Sequence, residues 1–175
     1  MKIIEFIPNV HPIFVHFTVA LLSTSMGLFL IAFITRERNW SKNLLTVAQW
    51  NLWLGAGITL ITIGTGLFEY YTVKHDEPSH AAMTNHLNCA FFTASVFFFL
   101  VLWSVRAFRK KYKLTGRFIT TLVLATVMLM ITGWKGSELV YRFGLGVISL
   151  PQASEGSSGD SHGHNLKKKV HESSH

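Results

Sequence analysis

A chain of 175 residues in which 49% are hydrophobic and only 14% are charged departs from ordinary soluble proteins, where charged side chains make up roughly a quarter. The net charge of +7 is not a nucleic-acid footprint, because the basic residues sit in short connections between apolar stretches and not along one face. A single cysteine, Cys89, excludes an intrachain disulfide, and the lack of a Cys-x-x-Cys-His run excludes covalent haem attachment.

Met1 to Pro12 has neither the basic start nor the small-residue cleavage site of a signal peptide, so the first apolar stretch is expected to remain as a helix. That stretch, residues 13–34, carries His16 as its one ionisable side chain, and Pro12 suits the first turn of a helix. Arg36, Arg38 and Lys42 follow it. A second apolar stretch covers residues 50–68, and a polar loop from Thr72 to Asn85 then holds His75, Asp76, Glu77 and His80. His86 opens a third stretch, residues 86–105, followed by Arg106, Arg109, Lys110, Lys111, Lys113 and Arg117 without an acid. The fourth covers residues 118–138, with helix extending toward Tyr141. Each is about the length that a bilayer crossing needs.

The expected architecture is therefore all-α: an integral membrane four-helix bundle, up-down-up-down, formed by residues 1–148. Residues 149–175 form a His-, Ser- and Lys-rich tail with no hydrophobic period, expected to be disordered. No internal repeat is evident. The basic loops after spans one and three point to the cytoplasm, which leaves both termini outside. In a bacterium this describes the inner membrane.

This topology gathers the histidines. His11, His16, His75, His80 and His86 fall at one end of the bundle, with Glu69, Lys135 and Arg142. His16 and His86 are placed within or at the edge of spans one and three, which lie diagonally in a simple bundle. Two imidazoles at one depth across such a core suit the axial ligands of haem b, with His11 or His80 as substitutes. Gly55, Thr59, Thr62, Gly66 and Glu69 form a stripe that would make room. Glu69 would orient a ligand imidazole, and Lys135 and Arg142 would pair with the propionates. Plainer readings exist for each: a histidine near the interface can be only a hydrogen-bonded boundary residue, and a small-residue stripe is commonly helix packing. His11, just before Pro12, is expected to cap the chain's opening outside the helix.

The rival chemistry is a bare copper, zinc or iron site. No histidine pair has the three- or four-residue spacing of a helical chelate, so its ligands would come from separate helices. His162 and His164 in the tail form at most a loose copper or zinc site.

The segment His11-Pro-Ile-Phe-Val-His16-Phe17 resembles the opening His-Pro-x-x-Val-His-Phe-Pro of a bacterial family of short four-helix membrane proteins, a domain of unknown function with family number 2231. The family's closing motif, Gly-Gly-x-Leu-Val-Tyr-x-His-Gly-x-Gly-Val, is matched by residues 136–147, and a histidine opens span three in both. Thr18, Ser137 and Phe143 depart from the pattern. The resemblance, over residues 5–148, implies fold and location, and leaves His11, His16 and His86 as the shared histidines. The expected function is a haem b protein carrying electrons near the extracytoplasmic face. Its partners would be a bilayer quinone and a periplasmic redox protein, or a larger respiratory complex. The alternatives are metal handling and a non-catalytic membrane subunit. Nothing pairs a nucleophile with a base, which argues against hydrolysis.

Overall fold

The computed structural model describes residues 10–73, 76–109 and 115–145. They form four helices: α1 (His11–Ile34), α2 (Ser41–Thr72), α3 (Glu77–Arg109) and α4 (Gly116–Phe143). All four are long and apolar enough to cross a membrane. Each helix packs on its chain neighbours and α1 closes on α4, while α1 faces α3, and α2 faces α4, only diagonally. The up-down-up-down bundle expected from the sequence is what forms. His75, Lys110, Lys111, Lys113, His162, His164 and the rest of the tail lie outside the described residues.

The helices overrun the apolar stretches, because a helix continues past the hydrocarbon wherever its backbone groups find partners. Two expectations are corrected by this. Residues 77–85 are helix and not loop, so His86 stands more than two turns inside α3. Asp76 starts that helix, with its Oδ1 accepting from the backbone and hydroxyl of Ser79. His11 is the first residue of α1 and not a cap outside it. Pro12 permits this, since a proline in the first turn removes an N–H that has no helical acceptor.

Helix ends are closed by short-range chemistry. The Ser41 hydroxyl donates to the Ala32 carbonyl in the last turn of α1 (2.8 Å) and so fixes the tight α1–α2 connection. At the end of α4, Gly144 adopts φ 62°, and its N–H reaches the Val140 carbonyl while that of Leu145 reaches Leu139. This is an αL stop, which favours a residue without a Cβ penalty.

The structure also reveals a repeat that the sequence reading missed. In α1 the residues turned inward are His11, Thr18, Leu22, Ser25, Phe29 and Ala32; in α3, at identical spacing, they are His86, Thr93, Phe97, Leu100, Ser104 and Ala107. In α2, Ala48, Leu52, Gly55, Thr59, Thr62 and Gly66 correspond in the same way to Phe118, Leu122, Ala125, Leu129, Thr132 and Gly136 in α4. The polar contacts repeat too. Thr18 meets Thr62 at 2.9 Å within the first hairpin, and Thr93 meets Thr132 at 2.9 Å within the second. The bundle is thus two equivalent helical hairpins, α1–α2 and α3–α4.

The hairpins interlock tightly at the end away from the histidines. Phe29, Phe118, Leu52, Leu100 and Leu122 are fully buried there, with the Phe118 ring edge-on to Phe29 (5.2 Å) and Trp103 (5.7 Å). Aromatic rings fill that half. Toward the histidines the hairpins part.

Candidate functional site

Where the hairpins part, a cavity of about 490 Å³ opens. Its lining comes in pairs related by the repeat: His11 with His86, Thr18 with Thr93, Thr62 with Thr132, Gly66 with Gly136. Most of the wall is apolar. The volume falls within the roughly 300–1,000 Å³ of pockets that hold cofactors and small molecules.

His11 is seated by α2. Its ring lies over Gly66, where a Cβ would come within 2.8 Å of the imidazole Cε1, so only glycine leaves space. Its Nδ1 donates to the Thr62 carbonyl (3.0 Å), with the Thr65 hydroxyl 3.2 Å away. A carbonyl only accepts, so the neutral ring carries its proton on Nδ1 and its lone pair on Nε2. That is how a protein prepares an imidazole to bind iron or another metal.

His86 is seated by α4 in the same manner, with its ring over Gly136 and its Cε1 3.1 Å from where a Cβ would stand. The Thr132 carbonyl is near the ring but outside hydrogen-bonding geometry, and Nδ1 is buried without a partner among the described residues. His11 and His86 are near enough to interact electrostatically, and Lys135 also acts on His86.

Glu69, on α2, lines the cavity and its carboxylate lies near the backbone N–H of His11; Oε1 is buried without a partner among the described residues. The ring of His11 is oriented by the Thr62 carbonyl. Glu69 stands beside the start of α1, where Val10 offers no side-chain cap and the first turn holds no acid, and a carboxylate there suits the positive end of the helix.

The other residues singled out in the sequence divide by position. His16 lines the cavity but is also exposed on the outer surface of α1, and its Nδ1 donates to the Pro12 carbonyl at 2.5 Å. In the second hairpin its place is taken by Phe91. His80 lies outside the cavity, against the Tyr70 ring and 3.3 Å from the Tyr70 hydroxyl, which also meets Thr84 at 3.0 Å. Lys135 and Arg142 do not contribute to the lining, and Arg142 is held by Glu138 at 2.8 Å. Along the stripe on α2, Gly55 admits Leu22 for packing, while Thr59, Thr62, Gly66 and Glu69 border the cavity. Among the described residues, no three His, Cys, Asp or Glu side chains group as they would around a bare metal ion.

Fold and site together define a multi-pass membrane protein, built as two equivalent hairpins around a cavity at the histidine end. Residues 7–149 match the family described as predicted membrane protein DUF2231, and the chain belongs to that family. No curated protein and no solved structure matches it.

Proposed function

We propose that the cavity holds haem b, with His11 and His86 as the two axial ligands, and that the protein carries electrons at that end of the membrane. One observation carries this reading: two histidines on diagonal helices, at equivalent positions of two equivalent hairpins, border one apolar cavity. The Nδ1–H of His11 on a backbone carbonyl leaves its lone pair on Nε2, the nitrogen most often offered to iron. Bound between two imidazoles, such a group supplies reversible one-electron storage, tuned by its ligands, their hydrogen bonds and its burial.

This reading keeps His86 from the sequence expectation and prefers His11 over His16. His16 is exposed, and the repeat matches it with a phenylalanine, whereas it matches His11 with a histidine. Among the described residues every histidine lies at the same end of the bundle, which argues for one site and against a chain of carriers across the bilayer. The basic loops at the opposite end support a bacterial inner-membrane orientation with the cavity extracytoplasmic. On that orientation a periplasmic redox protein or a larger respiratory complex would meet the cavity end.

Visible spectra of the detergent-purified protein test the proposal. The expected result is a Soret band with sharp reduced α and β bands. His11→Ala and His86→Ala should each abolish that low-spin signature, and His16→Ala should leave it. A preparation that stays colourless after haem is added would overturn the reading, and loss of the spectrum only in His16→Ala would reassign the ligands.

A further inference from the structure

The repeat shows which polar groups on the cavity wall serve the fold. Five of them have apolar counterparts in the other hairpin: Thr59 against Leu129, Glu69 against Leu139, Tyr70 against Val140, Ser137 against Leu67 and His16 against Phe91. Thr59 and Ser137 donate to carbonyls of their own helices, Gly55 and Trp134 (both 2.8 Å). Glu69 stands near the first N–H of α1, and Tyr70 ties α2 to the start of α3 through Thr84. His16 differs from these four in having a second ring nitrogen. Its Nδ1–H is committed to the Pro12 carbonyl of its own turn. The lone pair is then on Nε2, in an exposed ring that also borders the cavity. An imidazole on the lipid-facing side of a span is costly, and a phenylalanine serves the same place in the second hairpin.

We propose that His16 marks the mouth of the cavity as the binding site of a lipid-soluble quinol, with Nε2 accepting a hydrogen bond from one ring hydroxyl. The acceptor calls for a hydroxyl donor. The position within the span calls for a ligand that dissolves in the bilayer, and the exposed side chains of Ile13 and Phe17 offer its tail a surface along α1. The choice of a redox-active ring over another hydroxylated lipid rests on the electron-carrier reading above.

Detergent-solubilised protein would be titrated under argon with decylubiquinol, and with its dimethyl ether, which lacks both hydroxyls, following tryptophan fluorescence. Wild type should bind the quinol about tenfold more tightly than the ether, the worth of one hydrogen bond in a poorly hydrated site. His16→Phe, which makes the two hairpins alike, should weaken quinol binding about tenfold and leave ether binding unchanged. The two losses should not add, as expected for groups that share one contact. Equal affinity of wild type and His16→Phe for the quinol overturns the proposal, as does loss of the haem spectrum in His16→Phe. A colourless protein that still binds the quinol through His16 would sink the haem reading and leave this one standing.

Discussion

The two hairpins share a plan but differ at their openings, and the difference separates what a helix needs from what a site needs. In the second hairpin, α3 runs through His86 without a break, so the backbone around that histidine is bonded within the helix. In the first, α1 begins at His11, and its earliest N–H groups have no helical acceptors. The carboxylate of Glu69 stands beside that deficit, while Leu139 holds the same place where no deficit exists. An acid inside a membrane is usually a sign of function. Here the comparison assigns most of its presence to a helix end.

That assignment can be broken most forcefully at Glu69. Glu69→Leu, which copies the second hairpin, should destabilise the protein by about 2 kcal/mol, since a partly buried N–H loses its partner. Glu69→Gln keeps an oxygen acceptor and should cost under about 1 kcal/mol. Unfolding in mixed detergent measures both, and a neutral Glu69→Leu would show that the carboxylate's own desolvation cancels its capping. The seats of the two histidines come next. Alanine in place of a helical glycine gains about 1 kcal/mol of helix propensity. At Gly66 the added methyl meets the imidazole ring at 2.8 Å and displaces a hydrogen-bonded histidine, so Gly66→Ala should lose a net 1 kcal/mol or so. At Gly136 the contact is looser and no bond is broken, so Gly136→Ala should lie within about 0.5 kcal/mol of wild type. Equal effects at both glycines would mean that the seats do not differ as described. The smallest effect concerns the threonine pairs. Thr18→Val and Thr93→Val should each cost about 0.6 kcal/mol, the usual worth of a hydrogen bond between membrane helices. A clear inequality would show that the shared contact does not bear equally on the two hairpins.

Much of the fold was legible in the sequence because a bilayer imposes a simple code: long uncharged runs, basic connections, a proline in a first turn. The helices run longer than the apolar stretches for a related reason. Hydropathy marks where the lipid begins and not where the backbone bonds stop, so residues 77–85, led by Asp76 and its bonds to Ser79, read as loop. The site was legible as a collection of histidines at one end. It was not legible as a pair, because His11 before a proline looked like an uncoiled opening, whereas Pro12 is what lets the helix begin there. The repeat was present in the letters, as His11 with Phe17-Thr18 against His86 with Phe92-Thr93, and as Ile61-Thr62 with Gly66 against Ile131-Thr132 with Gly136. These matches are sparse. Between them the hairpins agree only in which positions face inward, which is a property of packing and not of residue type.

A unit of two helices returns the chain to the side from which it started, so both hairpins stand the same way up in the bilayer. Two separate copies of one such unit, paired about an axis normal to the membrane, would meet face to face, each residue finding its own twin across the axis. Such a dimer could present only duplicated walls to whatever sat between its halves. Joining the copies through residues 73–76 lifts that restriction. One wall can then carry an imidazole where the other carries a benzene ring, and a ligand on the axis can be held evenly by its ligands while being approached from one side alone.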